Sequence, residues 1–286
     1  MFGAMTPLLE PILVAGGGRS GTTLLMQLLG TSPRIAFDRV YPFEHRYLTY
    51  LIRWAGLLSP GAPPEGWNQT ALASRRSELI GPIPWERAEA LGGDPDGFRR
   101  ACFLAAWERF SAAPGHEAGA THYAEKTPPW LAGELDGLLP CTVLMPIRDP
   151  RDVFLSVVAF VEKRGRSGFG MQVDEPPLQF AERFVKNQRI RMRQARQAER
   201  TGTATIVRYE QMVADLPDEA GRIGSLLDIE LDPAAIREEQ EQFRGHMTAA
   251  TPEASVQRWK REMSPEILAV FNEAIGEEMS AAGYEV

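Results

Sequence analysis

Apolar and polar positions follow two alternating patterns along the chain. Three short runs are apolar almost throughout: Pro11–Ala15 (PILVA), Thr142–Ile147 (TVLMPI) and Thr203–Val207 (TATIV). Short apolar runs rich in β-branched residues read as strands buried on both faces, the arrangement of a parallel sheet. Gly119–Glu125 is a fourth candidate strand. Between these runs apolar residues recur at helical spacing, most clearly over Thr22–Leu29, Phe43–Trp54, Pro95–Phe110, Asp152–Val161 and Leu178–Glu199. Strands alternating with helices predict an α/β fold with a central parallel sheet flanked by helices. There is no internal repeat. Ser59–Asn68 is rich in Pro and Gly, and Arg164–Pro177 contains three Gly and two Pro. Both are long for connections within a compact domain, so each is either a cover over an active site or a mobile surface excursion. Neither reads as a domain boundary, which leaves one domain over residues 1–286.

Composition narrows the picture. At 286 residues, 44% hydrophobic and 24% charged, the chain has what an ordinary globular core requires. A net charge of −7 argues against broad binding of nucleic acid or anionic membrane, which select basic surfaces. Cys102 and Cys141 match neither a zinc site nor a disulfide framework and are expected to be buried free thiols. No run reaches the roughly 18 apolar residues of a membrane span. The N-terminus lacks the charged start and apolar core of a secretion signal, so a cytoplasmic enzyme is expected.

The chemistry begins directly after the first strand. Gly16-Gly17-Gly18-Arg19-Ser20-Gly21-Thr22-Thr23-Leu24-Leu25 leads from strand to helix. Glycines let the backbone curl so that successive amides point inward, and the helix that follows adds its own unpaired N–H groups and dipole. The natural occupant is a phosphate. The nucleotide-hydrolase form of such a loop, G-x-x-x-x-G-K-S/T, carries a lysine for the terminal phosphates and a hydroxyl for magnesium. Aligned on Gly16 and Gly21, this chain has Thr22 where that lysine belongs, and the cation lies inside the loop at Arg19. ATP hydrolysis is disfavoured by that change.

A second anion site follows the Thr142–Ile147 strand, in Arg148-Asp149-Pro150-Arg151-Asp152-Val153-Phe154-Leu155-Ser156. Arg148 stands at a strand's carboxyl end, where open α/β sheets bind ligands. Pro150 suits a first helical turn, and Ser156 falls about two turns further on. A guanidinium fork and a hydroxyl together suit a phosphate monoester.

Arg19-Ser20-Gly21-Thr22-Thr23-Leu24 resembles the 5'-phosphosulfate loop of the sulfotransferases that use 3'-phosphoadenosine-5'-phosphosulfate (PAPS). The Arg-Ser-Gly-Thr-Thr form is similar to the tyrosylprotein and bacterial branches; the cytosolic steroid and phenol enzymes carry lysine there. The Arg148–Ser156 unit resembles the same family's 3'-phosphate motif, and the likeness extends from Pro11 to about Met263. It implies a P-loop-type domain and sulfuryl transfer from PAPS to a small-molecule, carbohydrate or lipid hydroxyl, leaving 3',5'-adenosine bisphosphate (PAP) and needing no metal. It also implies roles for single residues. Gly18, Arg19, Ser20, Gly21, Thr22 and Thr23 would hold the 5'-phosphosulfate, and Arg148 and Ser156 the 3'-phosphate. Lys126, in Glu125-Lys126-Thr127-Pro128 after the fourth strand, would join Arg19 in stabilising the transferring group. The cytosolic branch places a histidine base two residues beyond that lysine, where this chain has Pro128, and His122 reads as structural. The tyrosylprotein and bacterial enzymes take a glutamate from the region matching Phe37–Arg46 (FDRVYPFEHR), which makes Glu44 the base and His45 its alternate. Tyr209 in Val207-Arg208-Tyr209-Glu210 would lie near the nucleotide. In His246–Met263, Arg258 and Lys260 would meet the 3'-phosphate, and Ser255 or Thr248 a donor oxygen. The stretch between Gly56 and Gly119 resembles the family least and would hold the acceptor pocket, with Tyr41, Phe43, Tyr47, Trp54, Trp67, Trp85, Phe98 and Trp107 as possible lining or plain core residues. Two other readings stay open: a P-loop kinase for a small molecule or nucleotide, and a non-catalytic module that binds PAPS or PAP.

Overall fold

A computed structural model describes residues 8–56, 93–113, 116, 119–129, 131–135, 137–236 and 247–286. Among these residues five parallel strands form one sheet in the order β2-β3-β1-β4-β5. They are β1 (Glu10–Val14), β2 (Ile35–Ala36), β3 (His122–Lys126), β4 (Thr142–Ile147) and β5 (Thr205–Arg208). Helix α1 (Thr22–Leu29) follows β1, α2 (Tyr47–Gly56) follows β2, and α3 (Pro95–Ser111) precedes β3. After β3 comes the short α4 (Leu131–Leu135), then β4, α5 (Pro150–Arg164) and α6 (Pro177–Thr201). Beyond β5 lie α7 (Tyr209–Ala214), α8 (Leu216–Leu227), the single-turn α9 (Trp259–Glu262) and α10 (Pro265–Ala281). Among the described residues no helix is long and apolar enough to cross a membrane.

The period of two along β1 divides the core. Ile12 and Val14 join Leu25, Leu28 and Leu29 of α1 and Ile223 of α8, whereas Leu13 joins the opposite layer with Ile52 of α2 and Phe103 and Trp107 of α3. A third cluster fastens α5, α6 and α10 together around Phe154, Phe180 and Phe271. Trp107 is fully buried, stacks on Phe110 at 5.2 Å, and donates from its indole nitrogen to the Leu9 carbonyl at 3.0 Å. Trp107→Ala is therefore expected to lower unfolding stability by about 3–5 kcal/mol, read as a shifted urea midpoint.

Several boundaries differ from those expected. The helix expected over Phe43–Trp54 begins at Tyr47 because Phe43 holds a left-handed backbone at φ 62. Its first turn is instead anchored by the buried Glu125 carboxylate, which accepts from Leu48 N at 2.7 Å, Thr49 N at 2.9 Å and the Thr49 hydroxyl at 2.6 Å. The last strand starts at Thr205 rather than Thr203, since Gly202 ends α6 at φ 68 and Thr203 N closes that turn on the Ala198 carbonyl. Strand β3 runs on through Lys126, so that lysine is the strand's last residue. The two cysteines are free, as expected, but only half-buried. Two-residue β2 and helix α10 carry no distinct expectation from the pattern.

This topology decides where a ligand can sit. The connection after β1 leads to the β2 edge and that after β4 leads toward β5, so the β1 and β4 loops part company at a topological switch point. Register completes the arrangement: Val14 lies beside Lys126 on one side, and Ile147 beside Arg208 on the other. The glycine loop, Lys126, Arg148 and Tyr209 thus gather at the same carboxyl edge.

Candidate active site

The loop after β1 has the shape its residues suggest. Arg19 and Gly21 both take positive φ, 68° and 96°, and the Ser20 hydroxyl donates back to the Gly17 carbonyl at 2.7 Å. Gly21 caps α1 without any side-chain hydrogen bond, and no acid occupies the first turn. The amides opening α1 therefore face the cleft unscreened, a ready anion site. The glycines also permit close approach: a Cβ on Gly21 would lie 2.6 Å from the Tyr209 ring, and one on Gly18 2.4 Å from Phe169.

Arg148 extends from the end of β4 across the Tyr209 ring, its guanidinium carbon 4.4 Å from the ring centre. It donates to the carbonyls of Arg19 at 3.3 Å and Ser255 at 2.6 Å, while among the described residues its buried Nε has no partner. The hydroxyls of Tyr209 and Ser255 are 2.9 Å apart. Ser156, buried on α5, accepts from Arg19 Nε at 2.9 Å and lies 2.9 Å from the Thr248 hydroxyl. Arg148 and Ser156 thus flank Arg19 from two sides instead of bonding to each other. Burial lowers the Arg19 pKa to about 10, with the neighbouring charge of Arg148 pushing the same way. An Arg–Asp pair does mark the start of α5, but Arg151 forms it: its buried guanidinium is bidentate to Asp149 at 3.0 and 2.7 Å and covers Trp259 at 3.5 Å. Arg148 is left to the cleft.

Lys126 is buried at the end of β3, and its ammonium donates to the Thr23 hydroxyl at 2.9 Å and the Pro42 carbonyl at 2.7 Å. Burial lowers its pKa to about 8; the Glu44 charge opposes that shift, and Arg46 and Arg19 add to it. Phe43 packs edge-on against Phe37 and Tyr41 at 5.6 and 5.7 Å. A left-handed bulky residue costs on the order of 1–3 kcal/mol and persists only where its surroundings dictate it. Here that turn leaves Glu44 lining the cleft. Glu44 is exposed, not enclosed by apolar walls. His45 turns away to Asp38 at 2.9 Å and does not line the cleft.

These groups border a cleft of about 480 Å³. Gly18, Arg19, Gly21, Thr22, Thr23, Glu44, Lys126, Arg148, Ser156, Tyr209 and Ser255 all reach it, together with Thr248. Ser20 is buried within the loop, turned onto the Gly17 carbonyl, and does not line the cleft. Arg258 and Lys260 stand outside it: Arg258 donates to the Thr248 carbonyl at 3.0 Å and pairs with Glu262, and Lys260 pairs with Glu285. Trp259 acts as an anchor, its amide on Asp152 at 2.9 Å. His122 is at the far, amino end of β3, 2.8 Å from the Thr121 hydroxyl.

The sequence profile of the sulfotransferase family matches residues 11–233. The chain belongs to that family. No curated protein matches it. Among solved structures, the chain is similar to the sulfotransferase domain from the curacin biosynthetic pathway, at 17% identity and a TM-score of 0.51, covering 99% of this chain and 100% of that one. It is similar also to the sulfotransferase domain from the Synechococcus PCC 7002 olefin synthase, at 17% identity and a TM-score of 0.49, over 99% and 97% of the two chains. The first of these likenesses shows a shared fold.

In this sulfotransferase the cleft also takes residues that motif reading passed over. Phe160 was findable, because it falls one helical turn beyond Ser156 on the same face of α5. Arg166 and Phe169 belong to the irregular Arg164–Pro177 segment, which does border the cleft. Of the candidate aromatics, Tyr41 lines the cleft, Phe43 and Trp107 are core, and Tyr47, Trp54 and Phe98 are exposed. Trp67, Trp85, the Ser59–Asn68 segment and most of the insertion at about 56–119 lie outside the described residues.

Proposed function

We propose that this sulfotransferase moves the sulfuryl group of PAPS to a hydroxyl of a small-molecule, carbohydrate or lipid acceptor, without a metal. The observation that carries the donor assignment is the pair of anion sites meeting at the β1/β4 switch point. One is the helix-capping loop with its cation moved to Arg19; the other is Arg148 with Ser156. A nucleotide phosphorylated at both its 5' and 3' positions matches such a pair. The residues fit that substrate: among the described residues Arg148 Nε is buried and unpartnered, and a backbone carbonyl takes one donor from each terminal nitrogen as a weaker stand-in for a phosphate.

In this reading the amides of Gly18–Thr23 and the Thr22 and Thr23 hydroxyls hold the 5'-phosphosulfate, while Arg148, Ser156 and Ser255 hold the 3'-phosphate. Tyr209 lies at the nucleotide, stacked under Arg148. Glu44 takes the acceptor's proton as the acceptor oxygen forms its bond to sulfur. The bond from sulfur to the bridging oxygen breaks in line, and its electron pair stays on the departing PAP. Lys126 and Arg19 face the charge that gathers on that oxygen and on the sulfuryl oxygens, which is where preorganised cations stabilise a transition state most. The Arg258 and Lys260 assignments give way to Thr248, which Arg258 positions through its carbonyl.

Calorimetric titration with PAP, 5'-AMP and ATP plus magnesium tests the donor site. PAP is expected to bind with micromolar or tighter affinity and AMP far more weakly. Arg148→Ala should remove most of that preference, a loss of about tenfold or more for a charge-assisted pair. ATP with magnesium winning, or a 3'-phosphate that adds nothing, would return the kinase reading. PAP bound tightly by a protein that turns over no acceptor would favour the non-catalytic module.

A further inference from the structure

Among the described residues lining the cleft, four carry positive charge and one negative: Arg19, Lys126, Arg148 and Arg166 against Glu44. The proposed donor accounts for the first three. It does not account for Arg166. That residue is exposed, and among the described residues no hydrogen bond or ion pair engages its guanidinium.

Arg166 enters the cleft from the segment that follows α5. The segment Arg164–Arg166 leaves α5 two turns beyond Ser156, away from Arg148, Tyr209 and Ser255 at the nucleotide end. Arg166 and Glu44 therefore border one cleft, where an acceptor held by the first would meet the second.

The loop that carries Arg166 is built rather than loose. Gly168 and Met171 exchange backbone hydrogen bonds at 3.0 and 2.9 Å, and Met171 is buried. The Ser167 hydroxyl donates to Gln172 at 3.0 Å and accepts from Val173 N at 3.1 Å. Arg183 of α6 ties the loop down through the Gly170 carbonyl at 2.9 Å and the Glu175 carboxylate at 2.6 Å. Phe169 projects from the same loop against Phe160, ring centres 5.0 Å apart, and both rings border the cleft. A cation carried on a fixed loop into a cleft that also has an aromatic wall suits a ligand with an apolar body and an anionic group.

We propose that the acceptor is itself an anion: a small hydroxylated molecule whose carboxylate or phosphate is gripped by Arg166 while its hydroxyl faces Glu44. This rests on the sulfotransferase reading of the cleft. An anionic acceptor beside an anionic donor needs charge to offset their repulsion, and Arg166 supplies it within the cleft.

The test is calorimetry on PAP-saturated protein with matched probes. Aliphatic and aromatic hydroxy acids are paired with their methyl esters, and hydroxyalkyl phosphates with the corresponding diols; the two series separate a carboxylate from a phosphate. The charged member of at least one pair is expected to bind about tenfold or more tightly than its neutral partner, in keeping with a charge-assisted hydrogen bond. Arg166→Gln should erase that preference and Arg166→Lys restore part of it, with PAP affinity the same in both variants. Neutral partners that bind as tightly, a preference that survives Arg166→Gln, or no probe binding to protein that does bind PAP would each overturn the inference. Failure of PAP itself to bind would instead strike the donor assignment beneath it.

Discussion

Lys126→Met is expected to lower the rate of sulfuryl transfer by on the order of 10²–10³, the effect of deleting one preorganised donor aimed at developing charge. The substitution keeps the length and apolar stem of a side chain that is almost wholly buried, so the fold should survive and the loss should fall on kcat. The residue's titration offers a separate signature. Burial holds the Lys126 pKa at about 8, so above that pH the ligand-free protein presents a neutral amine. An anionic nucleotide favours the charged form. Binding of PAP between about pH 8 and 9 should therefore take up protons, which titrations in buffers of different ionisation enthalpy will detect, and Lys126→Met should abolish the uptake. The same shift has a consequence for stability. The folded pKa lies below the ordinary 10.5, so from about pH 8 to 10.5 the unfolded chain binds more protons than the folded one. Stability of the ligand-free protein gains from this group as pH rises through that window, and the variant should lack the gain. A near-normal rate in Lys126→Met would remove the lysine from the mechanism.

Glu44→Gln is the second large effect, about 10²–10⁴ in kcat for loss of a general base. Geometry separates it from its neighbour. Glu44 lines the cleft, whereas His45 is turned onto Asp38 at 2.9 Å outside it. His45→Ala should accordingly keep a rate close to that of the unaltered enzyme. A collapse in His45→Ala together with a near-normal Glu44→Gln would reverse the assignment. PAP affinity should stay unchanged in both, because neither residue belongs to the two anion sites.

Much of this arrangement was legible without coordinates, for identifiable reasons. A strand, a glycine turn and a helix in direct succession leave few backbone paths, so Gly16–Leu25 declares an anion site by local chemistry alone. Arg148 was readable likewise, as a charged residue ending an apolar run and followed by a proline suited to a first helical turn. The tail was harder. A basic–Trp–basic cluster looks like phosphate chemistry, yet Arg258 and Lys260 spend their charges on Glu262 and Glu285. The Arg258–Glu262 pair could have been read from its i,i+4 spacing, but nothing local to Lys260 shows that its partner is Glu285.

By itself, then, the sequence determined the alternation of strands and helices, the α/β class, the glycine loop with its relocated cation, and family membership. These all depend on neighbours within about a dozen residues. The tertiary structure decided what depends on distant ones. It placed Arg19 between Ser156 and Thr248, 137 and 229 positions away. It put Glu125 under the first turn of α2, brought Lys126 beside Thr23 through the β1–β3 register, and brought Arg166 to the cleft. Strand order and register set those meetings. They follow from how whole layers bury their apolar faces, a property that no local window of the chain contains.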